Sequence, residues 1–180
     1  MTILVDMDDV IEQLVAGWVD YVNERHGTHT TPEEVRSWDV SKAFPTLTHD
    51  QVYAAVNDDA LWDYVKPMPG APEILQRLIE EGHRVFIVTA TGYTTLRAKM
   101  EKVLFPYFPF LTWNDVIITN HKELIKGDIL IDDGPHNLVA GDYKKLLFDA
   151  GHNRDFDETT VGATRVHNWN EIYDLIRKMV

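Results

Sequence analysis

The sequence predicts an α/β protein: a doubly wound, Rossmann-like parallel sheet with a small helical cap inserted after its first strand. Three observations carry that reading. Short continuous apolar runs alternate with amphipathic helical stretches, as in strands buried on both faces and the crossovers between them. Several of those runs end in an acid or a hydroxyl. Residues 11–66 break the alternation with helical patterns alone, over a stretch far longer than a simple crossover needs.

In chain order, "TILVD" (2–6) is the first strand, and its apolar run stops at Asp6. Helical patterns near 11–25, 32–37 and 48–57 follow, with Trp18, Trp38, Phe44 and Trp62 as the expected core of the cap. "KPMPGAP" (66–72) reads as the hinge back, giving a core of 1–10 and 67–180 and a cap of 11–66. Ile74, Leu75, Leu78 and Ile79 form a helical stripe closed by Gly82, and "RVFIVT" is the next strand. A helix over about 93–104 leads to "DVIIT" (115–119), "DILID" (128–132) and "KLLFD" (145–149). "ATRVH" (163–167) is a sixth strand candidate before a closing helix at about 169–179.

Composition narrows the function. The 180 residues suit one domain with an insertion, and 44% hydrophobic residues suffice for a core. With 29 acidic against 17 basic residues the net charge is −12, which argues against a nucleic-acid polymer or an anionic membrane as partner. A small phosphate ester remains open, because a metal or a few local cations reverse the field within one cleft. Without cysteine there is no disulfide, thiolate nucleophile or Cys-ligated zinc. The eight histidines show no metal-ligating pair spacing. The start carries no secretory signal and no stretch is long enough to span a membrane, so a cytoplasmic protein is expected.

The acids at the strand ends point to the chemistry. In an open α/β sheet the carboxyl ends of the strands line the ligand crevice. "ILVDMDDV" brings Asp6, Asp8 and Asp9 there, and "LIDDG" brings Asp132 and Asp133. An all-oxygen set of this kind suits a hard cation such as Mg²⁺. "FIVTATG" adds Thr89, and Lys122 follows "DVIIT"; a hydroxyl, an ammonium and a cation are what a phosphoryl group needs. Lys126 competes with Lys122. Asp9 reads as a helix cap or a solvated residue, and Thr91 as a cap for the helix near Tyr93. His152-Asn153 reads as a loop brace.

The ordered set Asp6-Met7-Asp8, Thr89, Lys122 and Asp132-Asp133 resembles the haloacid dehalogenase superfamily of phosphotransferases. More narrowly, "DMDDV", "KPMPGA", "ITNHKELIKGDILIDD" and "FDAGHNR" are similar to segments of the 5′(3′)-deoxyribonucleotidases. This chain departs from them with Asp9 for Gly, Ala90 for Ser, Asn120 for Arg and Tyr93 for Lys.

The resemblance implies a phosphomonoesterase for nucleoside monophosphates. Asp6 would be the nucleophile and Asp8 the general acid–base, holding a proton when Asp6 does not. Mg²⁺ would sit on Asp6, Asp132 and the backbone carbonyl of Asp8, with Asp133 just outside. Thr89, the backbone at Ala90 and Lys122 would hold the phosphate, and Trp18 or Trp62 a base. A homodimer is compatible with it. The alternatives are a phosphatase for a sugar phosphate or other small metabolite, a receiver-type phospho-acceptor domain, and a non-catalytic binding protein. In a receiver the phosphorylated acid lies mid-chain, between an N-terminal acid pair and the Thr, and no second acid pair follows the Lys.

Overall fold

The computed structural model describes residues 1–179. Its six strands are β1 (Thr2–Val5), β2 (Arg84–Thr89), β3 (Val116–Ile118), β4 (Ile129–Asp132), β5 (Lys144–Phe148) and β6 (Ala163–Val166). They form one parallel sheet in the order β3-β2-β1-β4-β5-β6. The order reverses direction between β1 and β4, and a crevice at the carboxyl ends opens at such a switch point. Register fixes what meets there. Val5 pairs with Ile87 on one side and Ile131 on the other, so the next residues along, Asp6 and Asp132, stand level on adjacent strands.

Alternation along the strands feeds two cores. Ile3, Val5, Ile87, Ile129 and Ile131 face one side, where α3 (Ala71–Glu80), α4 (Tyr93–Lys99), α5 (Phe105–Tyr107) and α6 (Trp169–Arg177) contribute to the same cluster. Leu4, Val88, Leu130 and Leu147 face the other. That second face is closed by Leu138, Tyr143, Ile125, Phe156 and Val161 from short turns and loops, where a doubly wound sheet would ordinarily carry helices. Helix α3 ends in a Schellman motif. Gly82 adopts φ +89°, and the His83 and Gly82 amides donate to Leu78 and Ile79.

Between β1 and α3 lie α1 (Leu14–His26), α2 (His49–Tyr53) and single turns of 3₁₀ helix at 32–34, 40–43, 54–57 and 59–63. Their apolar side chains, among them Val19, Val22, Phe44, Leu61 and Trp62, join the core on the Ile3 side. No helix among the described residues is long and apolar enough to cross a membrane.

Candidate active site

The chain stays extended just past β1, where the Asp6 amide donates to Ile131 O at 2.9 Å. It then turns sharply, and the Met7 carbonyl accepts from the amides of Val10, Ile11 and Glu12. Extended geometry therefore does not carry on to Asp8, and the two acids find different partners. Asp6 receives the Lys122 ammonium. Asp8 lies 2.7 Å from the ammonium of Lys99.

The turn explains a second feature. Asp9 has φ +52°, a left-handed conformation that glycine adopts freely and aspartate tolerates better than most residues. Its carboxylate accepts from the Val15 amide at 3.1 Å in the first turn of α1, so Asp9 caps that helix, as expected.

Lys122 is 2% exposed and also donates to Asp132 Oδ2 at 2.6 Å, whereas Lys126 is exposed. The other oxygen of Asp132 accepts from the Gly134 amide (2.8 Å) and Asn137 Nδ2 (2.9 Å). A side chain at Gly134 would sit 2.8 Å from the His136 ring and 2.9 Å from the Asn137 amide, so it would displace the side chain that donates to Asp132. Asp132 is thus fully supplied with donors. Asp133 is buried as well and lies 2.9 Å from His152 Nε2.

One carboxylate oxygen each from Asp6, Asp132 and Asp133 lies within 4.8 Å of the others. Such a buried, all-oxygen cluster fits a hard divalent cation. The donors already on Asp132 favour Asp133 as the freer ligand, the reverse of the sequence expectation.

Burial pushes the Asp6 carboxyl up to about 8; Lys122 opposes this, and Asp132, Asp133 and Asp8 reinforce it. Burial likewise drives Asp133 well above the usual range, with Asp132 and Asp8 adding to the effect. Asp8 goes the other way. Burial acts to raise it, but the Lys99 ammonium, with the Glu12 carboxyl nearby adding to the effect, outweighs that and holds it below the ordinary value. Glu12 is fully buried, and burial followed by the charge of Asp8 keeps it well above the carboxylate range. The protein's own groups therefore favour a proton on Asp6 and Glu12 and an ionised Asp8. The sequence reading expected the proton on Asp8 instead.

Above these groups opens a cavity of about 380 Å³. Asp6, Asp8, Asp9, Ala90, Asn120, Lys122, Asp133 and His152 line its charged end. Its other walls include Leu14, Val15, Trp18, Trp38, Val40 and Tyr53, with Ser37, His136 and Asn137 among them. Thr89 lies beneath, fully buried, its hydroxyl accepting from Lys99 at 2.9 Å.

Trp18 lines the cavity, with its indole N–H donated to Val52 O at 2.9 Å. Trp62 does not line it: it is 3% exposed, with its ring 5.9 Å from the Lys99 ammonium. Trp38, expected in the core, is 57% exposed and stands edge-on to His136 and His152. Asn153 braces its loop as expected, donating to Asp133 O and Phe148 O, both at 2.8 Å. Thr91 does not cap α4; its hydroxyl lies 3.1 Å from that of Thr95.

Sequence reasoning missed Lys99, Glu12 and Tyr53. The one signal for Glu12 was an acid set in the apolar surroundings of "VIEQLV".

Strand-end acids, a threonine and a buried lysine at the switch point of a parallel sheet define a phosphatase of the haloacid dehalogenase type. A HAD family hydrolase from Deinococcus radiodurans R1 shares the fold, with TM-score 0.65 and 17% identity over 98% of this chain and 95% of that one.

Residues 1–180 match the family described as 5′ nucleotidase, deoxy (Pyrimidine), cytosolic type C protein, and the chain belongs to it. The 5′(3′)-deoxyribonucleotidase of Bacillus subtilis (strain 168) is 35% identical over 171 residues, covering 94% of this chain and 95% of that protein. The 5′(3′)-deoxyribonucleotidase of Clostridium acetobutylicum is 28% identical over 170 residues, covering 94% and 91%. This protein is a hydrolase of phosphoric monoesters, of the 5′-nucleotidase type.

Proposed function

We propose that the chain is a cytoplasmic, Mg²⁺-dependent 5′(3′)-deoxyribonucleotidase that hydrolyses nucleoside monophosphates through an aspartyl-phosphate on Asp6. The observation that carries the reading is the joining of the acid–lysine cluster to an aromatic cavity of about 380 Å³, a volume that suits a small ligand.

In the first step a carboxylate oxygen of Asp6 attacks phosphorus as the bond to the ester oxygen breaks, and the departing alkoxide takes a proton from Asp8. In the second, Asp8 removes a proton from water as the water oxygen displaces Asp6 from phosphorus. The sum is ester plus water giving alcohol plus phosphate. Lys122 and the backbone at Ala90 hold the phosphate oxygens, and Thr89, buried beneath the cavity, anchors the end of β2 that carries Ala90. The negative charge of the phosphate facing Asp8 raises the proton affinity of that carboxyl, which readies it as the acid.

Asp6, Asp133 and the Asp8 backbone carbonyl would hold Mg²⁺, with Asp132 keeping Lys122 in place. When bound there, the ion would supply positive charge against the phosphoryl oxygens and favour the ionised form of Asp6.

Residues 11–66 act as the cap, and Trp18, Trp38 and Tyr53 offer flat faces to a nucleobase. Stacking on one ring is worth roughly 1–3 kcal/mol, a factor of about 5 to 150. Trp38→Ala should reduce hydrolysis of a 2′-deoxynucleoside monophosphate by about that factor and leave p-nitrophenyl phosphate nearly unchanged. Equal losses on both esters would remove the base from this wall. Hydrolysis of sugar phosphates alone would overturn the nucleotide reading.

A further inference from the structure

Two of the strand-end groups, Asp8 and Thr89, are joined by a residue that the scheme above does not use. The Lys99 ammonium lies 2.7 Å from the Asp8 carboxylate and 2.9 Å from Thr89 Oγ1. It is 1% exposed and does not line the cavity. Lys99 closes the inward face of α4, which it shares with Thr95 and Ala98 at helical spacing. The next turn, Met100–Leu104, is π-helical, a local distortion found often at functional sites.

Burying an ammonium here is a poor route to stability. A well-packed apolar side chain commonly does as well as a buried ion pair. What the lysine does achieve is geometric. It ties the turn after β1 to the end of β2, and so fixes one carboxylate against one hydroxyl.

We propose that Lys99 is a positioning residue: without touching substrate, it holds the Asp8 carboxylate beside Thr89 and so sets where the acid stands relative to the phosphoryl group. The inference rests on the phosphatase reading above. Lys122 contacts Asp6 and Asp132, the nucleophile side, so the two lysines divide the strand-end acids between them. Losing Lys99 should therefore hurt the transfer of a proton to the leaving oxygen far more than the attack on phosphorus.

The test is a double-mutant cycle of Lys99→Met and Asp8→Asn, followed by single-turnover release of alcohol with saturating Mg²⁺. One substrate is a 2′-deoxynucleoside 5′-monophosphate, whose leaving group needs a proton. The other is p-nitrophenyl phosphate, whose leaving group does not. Lys99→Met should slow release of the nucleoside about 100-fold or more, the usual scale of general acid catalysis. Substrate affinity should stay within about threefold and release of p-nitrophenol should fall less than about tenfold, because binding and attack are spared. In the Asp8→Asn background Lys99→Met should cost less than about threefold more, since its target is already lost.

Equal losses on the two esters, or the same loss in both backgrounds, would overturn the inference. If Lys99→Met alone does not fold, the double variant still serves, because it removes both charges of the pair together. Activity equal to Asp8→Asn supports the inference, and a further large loss refutes it. A wild-type protein that releases neither alcohol would overturn the phosphatase reading and the inference with it.

Discussion

Lys122 and Lys99 are both buried ammonium groups, and each reaches an aspartate of the segment that follows β1. Their surroundings differ in charge. Lys122 meets Asp6 and Asp132, with Asp133 close by, so one cation faces three acids. Lys99 meets Asp8 alone and a neutral hydroxyl, and burial pushes the neighbouring Glu12 carboxyl well above the usual carboxylate range, toward its neutral form. The first group has room for more positive charge and the second does not. Under the proposed function, a divalent cation belongs on the Lys122 side and proton transfer on the Lys99 side. One sheet edge thus carries two devices a few residues apart.

The most severe way to break that division is at the two aspartates. Asp6→Asn keeps size and most hydrogen bonds but removes the attacking charge, so turnover should fall more than about a thousandfold on every ester. A variant keeping over a tenth of wild-type turnover would end the assignment. Asp8→Asn should spare p-nitrophenyl phosphate relative to nucleotides in single-turnover release, and an equal loss on both would erase the distinction between the two sides.

The metal sharpens it next. Chelation by EDTA should abolish turnover and Mg²⁺ restore it. Asp133→Asn should raise the Mg²⁺ concentration for half-maximal activity by about 10- to 100-fold or more, the scale of loss for disturbed metal sites. Asp132→Asn should lower the turnover number through Lys122 with a smaller change in that requirement. If the two variants exchanged behaviour, Asp132 would be the ligand and Asp133 its support. Full activity in chelator would remove the cation from the site.

Much of the Lys122 side could be read from the chain, because its groups end strands. A run such as "DILIDD" declares both its burial and the point where the polar residues begin, which puts Asp6 and Asp132 on one sheet edge, and the β1–β4 register of the structure then sets them side by side. The Lys99 side was invisible for physical reasons. Lysine on a helix is normally solvated, and nothing in "LRAKMEK" distinguishes buried Lys99 from Lys102, whose ammonium reaches Asp63 at the surface. Trp38 failed in the opposite direction. Its apolar bulk suggested core, but the short turns around it leave the ring exposed at the cavity wall. The turns that cover the second face of the sheet were not legible either, since 3₁₀ turns leave no helical period in a sequence.

The smallest expected effect concerns stability, and it follows from the sign of the carboxyl shifts. Asp6, Asp9, Glu12 and Asp133 all hold their protons more tightly in the fold than in the unfolded chain, each chiefly because of burial. Below about pH 3 both states are protonated and these groups cost nothing. As pH rises, the unfolded chain releases its protons first, so the native state loses stability through the pH range up to the folded values, about 8 for Asp6 and Asp9. In chelator the melting temperature should therefore fall between pH 7 and pH 8. Mg²⁺, which favours the ionised acids, should raise it more at pH 8 than at pH 6. Glu12 isolates the Lys99 side of this balance. Glu12→Gln keeps the size of the side chain but has no proton to lose, so it escapes the penalty. In chelator the variant should melt several degrees above wild type at pH 8, on the order of 1–3 kcal/mol, and close to it near pH 4.5. A variant less stable than wild type at pH 8 would mean that Glu12 is ionised beside Asp8. Lys99 would then face two negative charges, and the contrast between the two lysines would disappear.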